Sequence, residues 1–275
     1  MLASVAESNN VEIRTGSKVK SIDVENGRCN GISLTGGELI QADQVVSGLD
    51  PKNTFMNLVG TSNLNPNFHT QLNNIRYRGS TARVHFALNK LPEINGIFKD
   101  QMKTVFSIGP SIEYQERASD AVKYGTIANN PTVEFTIPSL INHEFAPDGK
   151  HVLSATVQYA PYHLRDQVWS SELNEQIKNN VVRVLENYIP DFSSLIEATS
   201  VLSPKDLEDE FGLTEGNLNH GEMTLDQFFF MRPTMSTAQY KSPIENLYLC
   251  GPGTHPGGGL HGANGFNAAR EILKG

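Results

Sequence analysis

The strongest chemical signal in the chain is a glycine-rich turn close to the end of the sequence. Seven of the 23 glycines lie between Gly251 and Gly265, after an apolar segment and before a segment with helical spacing. A strand, a glycine turn and a helix can together hold an anion or a polar ring edge, because the first helical N–H groups are unpaired and the helix dipole favours negative charge. Glycines at 257–259 would let a flat ligand approach the backbone. The spacing alone is explained equally well by tight strand–helix packing.

Two histidines and a cysteine adjoin this turn. His255 and His261 could share a metal ion, but no carboxylate or thiol stands at a diagnostic spacing. Hydrogen bonding within the loop or contact with a ligand is therefore favoured, and no metal site is predicted. Cys250 could be redox-active, although a buried cysteine at the end of a strand is commoner. A phosphate ligand held by the helix N-terminus alone would need a basic residue nearby, and no lysine or arginine lies at 251–267.

The segment at 212–240 is irregular and is expected to form a long ordered loop. Its candidate substrate-facing polar side chains are His220, Glu222, Asp226 and Arg232. The favoured interpretation is that these groups tie two domains together, since irregular backbone in a compact domain needs hydrogen-bond partners. Three phenylalanines and a methionine at 228–231 could line an apolar tunnel or pack as ordinary core. We expect Arg76, Arg78 and Arg83 to lie on a solvated face.

The first sixty residues predict mainly strands. Residues 11–14 form a short apolar run, and runs at 18–24, 29–34 and 38–40 alternate apolar and polar residues. The turns at 26–27 and 36–37 join the last three runs into a meander. A short strand is expected at 42–47. Asp50 and Pro51 then start a helix to about Leu58.

The middle of the chain predicts a second group of elements. Strands are expected at 81–88, 132–137, 151–159 and 196–202, and helices at 111–122, 170–188 and after Ser203. A final strand at 247–250 and a helix to Lys274 flank the glycine turn. The fold class is therefore α/β, mixed α+β in detail, with an antiparallel or mixed sheet and helices on one of its faces.

The composition limits the classes of function. With 38% hydrophobic and 19% charged residues among 275, the chain is typical of a soluble globular protein. A net charge of -8 argues against nucleic acid as a partner and against attraction to anionic membranes. No apolar run is long enough for a transmembrane segment. Two cysteines and the lack of a secretory signal favour a cytoplasmic rather than a secreted protein.

Three segments resemble one enzyme family. LYLCGPGTHPGGGLHGANGFNAAR resembles the C-terminal flavin-binding segment of the phytoene desaturase-like FAD-dependent oxidoreductases, within the wider amine oxidase and glutathione-reductase-like class of flavoproteins. The segment GLTEGNLNHGEMTLDQFFFMRP is similar to the corresponding segment of one subgroup, the proteins related to the pyridine nucleotide-disulphide oxidoreductase domain proteins. GSKVKSIDVENGRCNGISLTGGELIQADQVVSGLDP resembles the meander and strand that complete the FAD domain in these enzymes.

The resemblance implies domains and site residues. Residues 1–60 and 243–275 would be the remnant of an FAD-binding domain, and residues 61–242 a substrate-binding domain. The implied cofactor-binding residues are Val19, Gly251, Gly253, Thr254, Gly257, Gly258, Gly259 and Leu260. The candidate substrate residues are His220, Phe229, Arg232 and His255. No catalytic side chain is assigned, because the isoalloxazine ring performs the hydride chemistry in such enzymes.

One departure from the family concerns the start of the chain. Residues 1–60 lack the Gly-x-Gly-x-x-Gly unit that holds the FAD pyrophosphate. The expected protein is the C-terminal portion of an FAD-dependent desaturase or dehydrogenase that passes hydride from a small apolar substrate to flavin. FAD would bind weakly or not at all to this chain alone, which would be inactive without a missing N-terminal half or separate chain. The alternative is a non-catalytic binding or assembly module without flavin, with a homodimer as a candidate assembly.

Overall fold

The computed structural model describes residues 2–274, which fold into two compact units. The first unit combines the chain up to Ile75 with the chain from Met223 onward, and the second spans Arg76–Glu222. Three separate sheets and several helices confirm the predicted mixed α/β class. No helix between residues 2 and 274 has the length and hydropathy needed to cross a bilayer.

The first unit opens with a helix and an antiparallel meander. These elements are α1 (Leu2–Ser8), β1 (Val19–Glu25), β2 (Arg28–Leu34) and β3 (Leu39–Gln41). Asn26 and Gly27 have φ values of 53° and 77°, which suit the tight turn between β1 and β2. The meander is therefore formed as predicted. The prediction of a strand at 11–14 is wrong, because these four residues are exposed and belong to no helix or strand.

Two helical segments follow β4 (Val45–Ser47). The buried Asp50 carboxylate accepts the N–H of Asn53 at 3.0 Å, as predicted for a helix cap, and a π-helix then covers Asn53–Gly60. A 3₁₀ turn at Thr61–Asn63 leads to α2 (Pro66–Asn73), which begins with the Asn65–Pro66 pair. Helix α2 was not predicted, although a side-chain cap followed by proline is a recognised start signal.

The second unit is built on a five-stranded sheet in the order β6-β7-β8-β5-β9, with every neighbouring pair antiparallel. Its elements are β5 (Thr81–Leu88), β6 (Phe106–Ile108), α3 (Ile112–Tyr124), β7 (Thr132–Thr136), β8 (His151–Gln158), α4 (Ser171–Glu186), α5 (Phe192–Leu195), β9 (Ile196–Leu202) and α6 (Pro204–Phe211). Its 3₁₀ turns cover Lys99–Met102, Pro138–Leu140, His143–Phe145 and Thr214–Gly216.

The alternation of side chains along β5 divides the two faces of this sheet. Val84 and Phe86 are fully buried in a core that also contains Ile177 and Val181 of α4. The residues between them along β5 are only partly buried and lie on the opposite face. The apolar stripe of α4 therefore covers one face of the sheet and leaves the other face to polar side chains.

The chain returns to the first unit through irregular structure. Short 3₁₀ turns cover Leu225–Gln227, Phe229–Met231 and Met235–Thr237. β10 (Leu247–Leu249) then pairs in parallel with β4, with Leu247 opposite Val45. The last element is α7 (Ala263–Ile272). Because β10 pairs with β4, the glycine turn that follows β10 begins at the end of a strand that β4 supports.

Candidate functional site

Thr254 and Asn264 hold the glycine turn between β10 and α7 in place. The buried Thr254 hydroxyl donates to the Gly251 carbonyl oxygen at 2.8 Å, and the Thr254 N–H donates to the same oxygen at 3.0 Å. The Asn264 side-chain amide donates to the Thr254 carbonyl oxygen at 2.9 Å and to its Oγ1 at 3.1 Å. The first turn of α7 is thereby tied to the loop that precedes it.

Glycine is required at two positions of this turn for its backbone conformation. Gly257 and Gly259 have φ values of 108° and 115°, which L side chains rarely adopt. A Cβ at Gly257 would lie 2.5 Å from Met223 Cε, so the methionine already fills the space above that residue. Gly259 and Leu260, by contrast, are exposed. The open part of the turn is therefore its second half.

His261 acts as a cap for α7. Its Nδ1 accepts the N–H of Ala263 at 3.1 Å, which leaves the proton on Nε2, and Nε2 donates to the Gly258 carbonyl oxygen at 3.2 Å. Both ring nitrogens are occupied, which agrees with the loop hydrogen bonding favoured from the sequence. Among residues 2–274 no group of three or more His, Cys, Asp or Glu side chains is arranged to hold a metal ion.

An aromatic group surrounds His255. Phe229 stacks on the imidazole with 5.8 Å between ring centroids and 27° between planes, and Tyr240 donates its hydroxyl to the His255 carbonyl oxygen at 2.7 Å. Phe229 and Phe230 are 57% and 68% exposed, so these two residues do not pack as ordinary core. His255 Nδ1 is buried and has no hydrogen-bond partner among the described residues.

The remaining predicted site residues fall in separate places. The buried Arg232 guanidinium donates from Nε to the Pro252 carbonyl oxygen at 3.0 Å, so it braces the loop beside the turn. Val19 is the first residue of β1 and is partly buried. His220 belongs to the second unit, unlike Phe229, Arg232 and His255 of the first unit. The structure therefore brings three of the four candidate substrate residues together in one unit.

Cys250 and the arginines complete the comparison with the sequence. Cys250 is only partly buried rather than buried, and its burial raises the pKa of the thiol, which favours the protonated form over the reactive thiolate. Arg76 and Arg78 bond the Glu222 carboxylate, with 3.4 Å from Arg76 Nε and 2.6 Å from Arg78 Nη2. Arg83 departs from the expected solvated face, because it is only partly exposed on β5.

Sequence reasoning missed two residues that shape the turn. Asn264 was treated only as part of a helix, although an asparagine in the first turn after a glycine loop is suited to bond the loop backbone. Tyr240 was left within an irregular segment, yet its buried ring links His255 to Asn267, which donates to the Tyr240 hydroxyl at 2.9 Å. No local pattern marks Tyr240, since its partners follow it by 15 and 27 positions.

Comparison with known proteins identifies the fold and the family of this chain. An oxidoreductase from Methanosarcina mazei has the same fold over 100% of this chain and 52% of its own, with a TM-score of 0.59 and 16% identity. The chain belongs to the family described as flavin containing amine oxidoreductase, whose profile matches residues 1–273.

Curated relatives agree with this family. Pyridine nucleotide-disulfide oxidoreductase domain-containing protein 2 of Rattus norvegicus is 32% identical over 99% of this chain and 49% of its own length. A lycopene-forming phytoene desaturase of Paracoccus is 28% identical over 90% of this chain and 47% of its own. The chain thus spans about half the length of the curated relatives it matches. The predicted relation to phytoene desaturases is confirmed.

The second half of the turn fits the polar edge of a flavin. Among residues 2–274, the N–H groups of Gly259 and Leu260 donate no hydrogen bond. These two exposed donors lie just before α7, whose dipole favours negative charge at its N-terminus. No side chain of Gly259 hinders the approach of a flat ring. The donors and the local field therefore suit a ring edge that bears carbonyl oxygens.

Proposed function

We propose that this chain supplies the flavin-edge site and a substrate-binding unit of an FAD-dependent desaturase or dehydrogenase that acts on an apolar substrate. The observation that carries the proposal is the pair of unused N–H donors at Gly259 and Leu260, which the Thr254–Asn264 hydrogen bonds hold in place. Membership of the flavin containing family supports the same conclusion. The FAD domain expected at 1–60 and 243–275 would take the bounds of the first unit, up to Ile75 and from Met223, and the substrate domain expected at 61–242 would be Arg76–Glu222.

The residues of the chain would divide the work as follows. FAD, when bound, supplies the acceptor for a hydride from the substrate. The N–H groups of Gly259 and Leu260 would donate to the polar ring edge, and the N-terminus of α7 would stabilise negative charge there. Gly251, Gly253 and Thr254 shape the loop that approaches the cofactor. The proposed cofactor-binding residues are Val19, Gly251, Gly253, Thr254, Gly258, Gly259 and Leu260; Gly257, expected from the sequence, is left out because Met223 fills the space above it.

A cavity in the first unit supports an apolar substrate. It has a volume of about 840 Å³, and its lining combines the apolar Phe229, Phe230 and Met235 with the charged Lys241, Glu271 and Lys274. This size is typical of small-molecule sites, which are mostly apolar with a few polar groups. The stacked Phe229–His255 pair would bind the apolar body of the substrate. Arg232 would position the loop rather than touch the substrate, since its guanidinium is buried against backbone carbonyls.

The experiment compares Leu260→Pro with Leu260→Ala by saturation-transfer NMR on the chain mixed with FAD. Both variants remove the exposed leucine side chain, but only proline removes the N–H donor. We expect the unsubstituted chain to bind FAD weakly, with a dissociation constant of about 1 mM or above. Transfer to the isoalloxazine protons should persist in Leu260→Ala. Leu260→Pro should bind about fivefold more weakly, which corresponds to one hydrogen bond of about 1 kcal/mol.

Two results would contradict the proposal. Equal transfer in the proline and alanine variants would show that the Leu260 N–H does not contact the ring. Absence of transfer to the isoalloxazine protons at saturating FAD would favour the alternative, a binding or assembly module without flavin. A stoichiometric yellow complex of the chain alone would overturn only the expectation of weak binding.

A further inference from the structure

One face of the sheet in the second unit is neither core nor open surface. Its partly buried polar side chains on β5 and β8 are Thr81, Arg83, His85, Ser154, Thr156 and Gln158. The register places Arg83 opposite Thr156, and His85 opposite Ser154. Side chains directly opposite on antiparallel strands are close enough to interact. This face therefore concentrates hydrogen-bonding groups around the guanidinium of Arg83.

The Arg83 guanidinium is held by two hydroxyl groups. Its Nη1 donates to Thr156 Oγ1, and its Nη2 donates to Ser154 Oγ at 3.0 Å. Burial lowers the pKa of the guanidinium from its usual value, but an arginine in a protein remains charged. The two contacts fix the orientation of the planar group on the sheet. They bring no negative charge to it.

Within the described residues, no carboxylate lies within ion-pair distance of the Arg83 guanidinium. Among residues 2–274 the Arg83 guanidinium forms no ion pair, whereas Arg14 pairs with Glu38 at 2.9 Å. The carboxylate in the same row of the sheet is Glu134, which is opposite Thr156 on β7. Glu134 is exposed and forms no ion pair with a described residue. Burial removes part of the hydration of this cation, and the two hydroxyl groups of the described chain replace some of its hydrogen bonds but supply no counter-charge.

The site retains more donors than it uses. A guanidinium has five N–H groups, and two are engaged, which leaves three. Ser154 and Thr156 accept from Arg83, and neither hydroxyl donates to a described residue, so both hydroxyl protons remain available. Burial, and to a lesser extent Arg83, lowers the pKa of His85, which leaves a neutral ring with one further N–H beside Ser154.

We propose that Arg83, Ser154 and Thr156 form an oxyanion site that binds the carboxylate or phosphate group of the substrate. Such a group supplies the missing negative charge and accepts from a planar guanidinium in a two-pronged geometry. The identification of the ligand as the substrate rests on the proposed function, but the anion site itself does not. If the ligand is the substrate, that substrate carries an anionic group.

The test titrates the chain without flavin with octanoate, octyl phosphate and octan-1-ol, which differ only in the head group. Binding is followed through the arginine Nε–Hε signals in NMR, and the Arg83 signal is identified by its loss in Arg83→Lys. We expect one of the two anions to bind about tenfold or more tightly than the alcohol. The stronger of the two distinguishes a carboxylate from a phosphate ligand. The Arg83 signal should shift on binding.

Variants separate the site from the general positive charge of the surface. Arg83→Gln should remove the preference for the anion, and Thr156→Val should weaken it several-fold while it preserves the shape of the residue. Arg117→Gln, on the exposed face of α3, should leave it unchanged. Fluorescence of Trp169, the single tryptophan of the chain and part of the same unit, verifies that each variant folds. If Arg83→Gln does not fold, Thr156→Val tests the site in its place.

Two results would overturn the oxyanion site. One is equal affinity for alcohol and anions. The other is an anion preference that survives in Arg83→Gln or, if only Thr156→Val folds, an anion preference as large in Thr156→Val as in the unsubstituted chain. Because no flavin is present, loss of this preference is distinct from failure of the Leu260 experiment. An anion preference without a flavin contact would keep the anion site and reject the proposed contact of the Leu260 N–H with the flavin ring.

Discussion

Substitution of Asn264 by alanine should open the start of α7. The Asn264 amide donates at 2.9 Å to the Thr254 carbonyl oxygen and at 3.1 Å to Thr254 Oγ1, and both residues are buried. Each hydrogen bond contributes about 1 kcal/mol, and the Thr254 carbonyl left buried without a partner costs about 1–3 kcal/mol. Alanine returns up to about 0.7 kcal/mol through its higher helix propensity. The net loss should be about 2–4 kcal/mol.

Amide hydrogen exchange measures this loss locally. In a peptide that covers α7, about 2–4 kcal/mol corresponds to exchange about 30-fold to 900-fold faster. Asn267→Ala is the matched control, because it gains the same helix propensity on the same helix. Its amide donates only to the Tyr240 hydroxyl, and Asn267 is partly exposed. If exchange in Asn264→Ala rises by less than about threefold, or no more than in Asn267→Ala, the Thr254–Asn264 hydrogen bonds do not hold the turn.

Two further predictions concern the meander and alkaline pH. Gly31→Ala should lower the melting temperature sharply, because φ there is +151° and a Cβ would lie 2.1 Å from the Ile40 carbonyl oxygen. The control Gly36→Ala should leave the melting temperature nearly unchanged, because its Cβ would meet nothing within 4 Å. Equal shifts in the two variants would contradict the β2–β3 register. Burial raises the pKa of Tyr162, and a hydrogen bond to Glu208 raises it further, from 10.0 to about 12. The stability that the protonated Tyr162 hydroxyl contributes is therefore complete below pH 10 and is lost as the pH rises to about 12. Urea titrations followed by tryptophan fluorescence should show that Tyr162→Phe loses less stability over that interval, and an equal loss in both proteins would refute the assignment.

Local patterns predicted the elements whose side chains alternate or recur regularly. The strand at 81–88 was placed at its observed bounds, because its buried and partly buried residues alternate without interruption. The short strand Phe106–Ile108 was missed, since three residues carry too little periodicity. Residues 11–14 alternate like a strand but are exposed and have no strand partner. A strand is stable only with a neighbour, and the neighbour is a property of the whole fold.

The candidate site shows the same limit in its side chains. The glycine turn was recognisable, because several glycines before a helix have few other physical explanations. The hydrogen bonds that fix it were not, since Thr254 and Asn264 lie ten positions apart in a loop of unknown path. Arg83 was interpreted as a solvated residue from its type alone. Its burial depends on the pairing of β5 with β8, which separates Arg83 from Thr156 by 73 positions in the sequence.

The two proposed binding sites differ in the origin of their donors, and this difference has consequences for specificity. At Gly259 and Leu260 the donors are backbone N–H groups; any substitution of Leu260 except proline preserves its donor, whereas Gly259 is also needed for its φ of 115°. A ring edge that bears carbonyl oxygens is suited to such donors. On β5 and β8 the donors are side chains of Arg83, Ser154 and Thr156, and one substitution can abolish the positive charge. Relatives that bind the same cofactor could therefore differ in substrate charge at this face alone, without any change in the glycine turn.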